Sequence, residues 1–198
     1  MRNSLLRFLP VLAALSSPPA VADPPAGGDP DGTALVKSHL LAERDAVEVG
    51  GRFRVAARFK IEPGWHIYWK NSGDSGMPPS FRVVAPEGVT IERVDWPVPE
   101  IFRTPDETTF GYSGEAAIVL TLRAPTDVTT AKPLDLKIEA DWLVCKESCL
   151  MGSRAMGLRL PLVAPLDPKA QTPASKDFAA ILGRLPGDAS SLLSLIHT

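Results

Sequence analysis

Cysteine is scarce in this chain: Cys145 and Cys149 are the only two among 198 residues. They lie too close together to form the bridge between sequence-distant strands that braces immunoglobulin domains. After the N-terminus no apolar run approaches the ~20 residues of a membrane-spanning helix. Basic runs are missing as well. With a net charge of −2, that argues against nucleic acid as a partner. Internal repeats are absent, and helical periodicity is almost confined to one short stretch.

The N-terminus reads as an export signal. Arg2 and Arg7 form a positive region, residues 5–15 a short apolar stretch, and Ala20-Val21-Ala22 the small-x-small pattern that places cleavage after Ala22. The stretch is too short for a membrane anchor. The expected product is a soluble protein of the bacterial periplasm. The Pro/Gly/Asp-rich segment 23–33 is expected to be a disordered linker. A folded domain is expected over 34–165, long enough to bury a core of its own, and a tail with a short helix over 166–198.

Within that domain the apolar residues alternate with period two. Phe53, Val55, Ala57, Phe59 and Ile61 share one face, with Arg52, Arg54, Arg58 and Lys60 on the other. Leu134, Leu136, Ile138, Ala140, Trp142 and Val144 repeat the pattern, as do Met156, Leu158, Leu160 and Leu162. Each predicts a half-buried antiparallel strand. Weaker strands are expected at 34–42, 65–69, 81–84, 89–94 and 116–122. Many short strands punctuated by the 20 prolines and by glycines point to an all-β, immunoglobulin-like antiparallel β-sandwich. The helical exception is 175–185, where Phe178, Ile181, Leu182 and Leu185 fall on one face before Pro186-Gly187.

Strand parity puts Cys145 on the outward side at the end of its strand and Cys149 in the following loop, with both sulfurs near the surface. Lys146 favours a thiolate there and Glu147 opposes it. Three readings are open: reversible thiol–disulfide exchange, a local structural bridge, or metal binding. The loop closed is so short that a disulfide would stabilise the fold by only about 2 kcal/mol. In an oxidising compartment such a pair suits exchange, because the second thiol can resolve a mixed disulfide formed by the first. For metal, Cys145, Cys149 and Met151 or Met156 are soft ligands suited to Cu(I), and a copper-binding protein is one alternative. A non-catalytic immunoglobulin-like interaction domain with a fixed disulfide is the other.

The run Gly64-Trp65-His66-Ile67-Tyr68-Trp69-Lys70-Asn71, then Gly73-Asp74-Ser75-Gly76, resembles the amino-terminal periplasmic domain of the DsbD thiol:disulfide interchange proteins. Within that family the chain is most similar to the suppressor-of-copper-sensitivity B branch. Asp95-Trp96-Pro97, Phe110-Gly111-Tyr112-Ser113-Gly114 and the stretch from Ala140 through Cys145-Lys146-Glu147-Ser148-Cys149 extend the resemblance over about 35–163. It implies an immunoglobulin-like sandwich with a redox-active pair and no organic cofactor or metal. Electrons would come from a membrane-embedded transporter or a thioredoxin-like donor and pass to periplasmic clients such as disulfide isomerases or apocytochrome maturation proteins. It also implies that Cys149 forms the mixed disulfides and Cys145 resolves them. Phe110 matches by position the family's aromatic cap, and Tyr112, Tyr68 and His66 are expected at the border of the site. The gap between the cysteines is shorter than in the best-studied branch. No membrane or thioredoxin domain follows in this sequence, so the chain is expected to be either a stand-alone or a truncated version of the family's protein, with the donor on a separate chain and the protein a monomer.

Elsewhere the residues suggest plainer roles. Trp65, Ile67 and Trp69 alternate with His66, Tyr68 and Lys70, so one set is expected in the core. His39, Asp95 and Asp141 are expected on polar strand faces, and the turn-forming segment 71–79 is expected to be a structural loop.

Overall fold

A computed structural model describes residues 31–128, 130–164 and 176–187. The signal sequence, most of the linker and much of the tail lie outside the described residues.

The alternating segments form two facing antiparallel sheets. One has four strands: β1 (Val36–Ala42), β3 (Arg52–Ile61), β9 (Glu115–Arg123) and β6 (Thr90–Asp95), in that spatial order. The other follows the order β11 (Cys149–Leu160), β10 (Leu134–Cys145), β4 (His66–Gly73), β8 (Thr108–Ser113) and β7 (Glu100–Arg103), and β5 (Ser80–Ala85) also pairs with β10. Two short strands, β2 (Val47–Glu48) and β12 (Leu162–Val163), pair in parallel beside them. This is the expected immunoglobulin-like sandwich, with α1 (Lys176–Leu182) as the single helix among the described residues.

The core lies where the inward faces meet. Phe59 of β3 touches Trp142 of β10 edge-on at 5.7 Å between ring centroids, and Phe81 of β5 at 6.3 Å. Val55, Ile118, Leu120, Ile138 and Val144 are fully buried around them. Burying such side chains stabilises by about 1.5–3 kcal/mol each, which is how the sandwich holds without a bridge between its sheets. The outward face of the four-stranded sheet is not all solvated. Ala56 and Val119 are buried there beneath Phe178 and Ile181 of α1. The two small residues, Ala56 and Ala117, leave room for the helix against the sheet.

Two expected boundaries shift. The last residues of the linker pack on the domain: Gly32 N donates to Met151 O, and Thr33 exchanges hydrogen bonds with Ser153. They therefore shield part of the free edge of β11. That strand also begins at Cys149, seven residues before the start of its apolar alternation. Gly152 sits beneath the Trp142 indole, where a Cβ would collide with the ring, and it therefore interrupts the pattern.

Candidate active site

β10 and β11 form a hairpin in which every residue from Leu134 to Cys145 pairs with one from Leu160 to Cys149. The last pair before the turn is Cys145 opposite Cys149, joined as a disulfide with 4.2 Å between their Cα atoms. Residues 146–148 make the turn, where Lys146 N donates to Ser148 O. The Lys146 side chain lies over Gly64, whose φ of 83° suits glycine.

The two sulfurs have different surroundings. Cys149 is exposed, whereas Cys145 is 3% exposed. Parity does put Cys145 on the outward face, but that face is covered, which corrects the expectation that both sulfurs lie open. β4 runs beside the end of β10, with His66 opposite Cys145 and Ile67 opposite Val144. It then leaves, and β5 takes its place from Asp141 onward. Tyr68 lies on the covered face. Its hydroxyl donates to Cys145 Sγ at 3.1 Å and lies 3.9 Å from Cys149 Sγ.

Tyr68 is itself enclosed. Gly76, at φ 96°, lies so close to the Tyr68 ring that any Cβ there would overlap it. Of segment 71–79, expected to be a structural loop, residues 71–73 instead complete β4, and the remainder up to β5 fixes this contact. Asp74 exchanges hydrogen bonds with the backbone of Thr108, and Ser72 Oγ donates to Gly76 O. Burial, then the nearby Glu107 carboxylate, raises the Tyr68 phenol above its ordinary value, and a hydrogen bond with Ser75 opposes the shift. The phenol is thereby kept as a neutral donor. His66 packs edge-on to Tyr68 at 5.2 Å and stacks on Phe102 at 4.4 Å. Burial lowers the imidazole below its usual value, against the pull of Glu100 and Glu107. Its Nε2 is buried without a partner.

Known proteins resemble the chain in sequence and in fold. Residues 37–159 match the family model for the N-terminal region of the thiol:disulfide interchange protein DsbD. The chain belongs to that family. The N-terminal periplasmic domain of ScsB from Proteus mirabilis is similar in structure, with a TM-score of 0.56 and 19% identity. The match covers 78% of this chain and 56% of that one, so this chain spans little more than half of its length. The reduced DsbD N-terminal domain of Neisseria meningitidis gives a TM-score of 0.39 and 13% identity, over 65% of this chain and 86% of that one. No curated protein matches the chain.

On this DsbD-family domain, the residues expected around the pair divide between the two faces of the sheet. His66 and Tyr68 lie on the disulfide's face. Tyr112 pairs with Ile67 on the core face, is 4% exposed, and donates its hydroxyl to Pro97 O. Phe110 shares that face and packs edge-on against Trp69 at 6.3 Å. The aromatic over the sulfurs is therefore Tyr68, a correction to the cap placed at Phe110. Strand alternation explains the difference: Gly111 is the residue of β8 opposite Tyr68, so its neighbours face the other way.

Phe102, stacked on His66, was not anticipated. Its strand, β7, is four residues long with exposed Ile101, and the pairing of Phe102 with Thr109 is what turns it toward His66. Of the two methionines considered as copper ligands, Met156 is buried opposite Ile138. Seven residues of strand, about 24 Å, separate it from Cys149. Met151 is exposed on the same strand face as Cys149. No group of three or more His, Cys, Asp or Glu side chains suited to a metal occurs among the described residues, and no helix there is long and apolar enough to cross a membrane.

Proposed function

We propose that this chain is a periplasmic thiol–disulfide exchange domain of protein-disulfide reductase type. Its reducing equivalents come from a membrane-embedded electron transporter or a thioredoxin-like donor on a separate chain, and it passes them to periplasmic client proteins. The observation that carries this reading is the asymmetry across one disulfide: Cys149 is exposed and Cys145 is 3% exposed beneath Tyr68. An incoming thiolate can reach only one sulfur in line with the S–S bond. It attacks Cys149 Sγ, the S–S bond breaks, and the electron pair leaves on Cys145 Sγ. The donor's second thiol then releases Cys149, completing a transfer of two electrons and two protons. In the forward step the Cys149 thiolate attacks a client disulfide, and Cys145, held beside it by the hairpin register, resolves the mixed disulfide. No organic cofactor or metal is needed.

Trapping tests the assignment. Cys145→Ala should accumulate mixed disulfides through Cys149 with thioredoxin-like partners, while Cys149→Ala accumulates few. A native protein whose disulfide resists every dithiol donor until it is unfolded would instead be an interaction domain with a fixed bridge.

A further inference from the structure

We propose that the Tyr68 hydroxyl is a catalytic hydrogen-bond donor that holds the leaving Cys145 thiolate during reduction of the disulfide. The proposal rests on the exchange chemistry above and assigns to one side chain the stabilisation of its leaving group.

Three observations carry it. The hydroxyl points at Cys145 Sγ from 3.1 Å, and from the farther distance of 3.9 Å at Cys149 Sγ. It is thus nearest the sulfur that receives the electron pair. Cys145 is almost sealed from water, so a thiolate formed there lacks the hydration that would stabilise an exposed one. Finally, the ring cannot swing away easily, because Gly76 is packed against it and the 73–79 segment is tied to Thr108. A donor already aimed at the position where charge develops need not reorganise as the bond breaks.

The step balances as follows. The external thiolate forms a bond to Cys149 Sγ, and the Cys145–Cys149 bond breaks with its electron pair retained by Cys145 Sγ. The Tyr68 O–H donates to that sulfur, and Cys145 takes a proton from solvent after the cover relaxes. Hydrogen bonding to the charged form lowers a thiol's pKa, and a leaving thiol of lower pKa departs faster. The other titratable groups near Cys145 are His66 on β4, Glu100 and Glu107 on the adjoining β7–β8 hairpin, and Lys146 and Glu147 in the turn. Measurement at pH 8, where His66 is neutral, separates the hydroxyl's contribution from that of an imidazolium.

The experiment is stopped-flow reduction of the oxidised protein by dithiothreitol, followed by tryptophan fluorescence. Alongside it, the Cys145 thiol is titrated by its thiolate absorbance in the Cys149→Ala background. Tyr68→Phe keeps the ring and deletes the donor. It should slow reduction about three- to tenfold and raise the Cys145 thiol pKa by about one unit. If that variant fails to fold, 3-fluorotyrosine at position 68 decides the question. As a more acidic donor it should speed reduction and lower the thiol pKa. Rates within twofold of the parent and an unmoved Cys145 pKa, in folded protein, would overturn the proposal. Because dithiothreitol needs no docking surface, these results do not depend on whether any protein donor or client reacts. Failure of the exchange function would appear instead as absence of mixed disulfides in the trapping experiment, with the Tyr68 effects intact.

Discussion

Replacing Gly76 with alanine should loosen the cover over Cys145 without touching either sulfur. The backbone there has φ of 96°, a conformation that L side chains rarely adopt, and imposing it on a non-glycine residue costs about 1–3 kcal/mol. The new Cβ would also overlap the Tyr68 ring, so either the ring or the 73–79 segment must move. If the strain is released locally, the loss of global stability stays at the low end of that range. Each kcal/mol lowers Tm by about 2–4 °C in a chain of this size, so a fall of about 2–6 °C is expected. The functional readout is the order in which the reduced thiols react. In the parent, iodoacetamide should modify Cys149 well before Cys145, because only Cys149 is exposed. In Gly76→Ala the ratio of the two rates, read by mass spectrometry of tryptic peptides at short times, should fall several-fold as Cys145 opens. An unchanged ratio together with an unchanged Tm would show that the segment does not hold Tyr68 in place, and would refute the reasoning.

Phe110→Ala should destabilise the fold by about 1–3 kcal/mol, less than a fully buried Phe→Ala, because Phe110 is half-buried against Trp69. Oxidation of the reduced protein by glutathione disulfide should keep its rate, whereas a large acceleration would restore Phe110 as the cap. Phe178→Ala should undock α1 from Ala56 and Val119, costing about 3–5 kcal/mol in urea unfolding and leaving the dithiothreitol rate unchanged. His66 has its folded-state pKa depressed, chiefly by burial, below the ordinary 6.5. Its contribution to stability is therefore fully present above pH 6.5 and is lost as the pH falls through the lower folded-state value. His66→Gln should flatten that part of the stability–pH curve, and an unaltered curve would mean that the imidazole titrates freely in the folded protein.

What could be read from the sequence depended on how many residues repeated one signal. β3 and β10 are long strands with one face against the opposite sheet, so their alternation runs over ten and twelve residues and marks the face that meets the core. β7 spans only Glu100–Arg103 and lies at a sheet edge with Ile101 in solvent, so nothing in its composition marks a strand. Cys145 shows the limit of parity. Alternation tells which face a side chain takes, but not whether another segment covers that face. The cover comes from Tyr68, 77 residues earlier in the chain. The misplaced cap has the same origin: Phe110 and Tyr68 both lie in recognisable motifs, and only the pairing of Gly111 with Tyr68 puts Phe110 on the other side of the sheet.

The placement of the pair also explains how one domain can keep its shape in both redox states. Cys145 and Cys149 are already register partners at the end of a hairpin whose twelve cross-strand pairs are set by the β10 and β11 backbones. The disulfide therefore constrains a loop that hydrogen bonding and core burial close anyway. Chain entropy assigns such a short loop only about 2 kcal/mol. A bridge between the two sheets would close a far longer loop and stabilise the fold more, but its reduction would then put the fold at risk. Here Phe59, Trp142 and Phe81 hold the sheets together, and sulfur chemistry is confined to one hairpin end. At that end β4 departs from β10 before β5 replaces it. This leaves the edge of β10 free of a strand partner at Trp142 and Leu143, and segment 73–79 spans the interval between β4 and β5, packed against the Tyr68 ring.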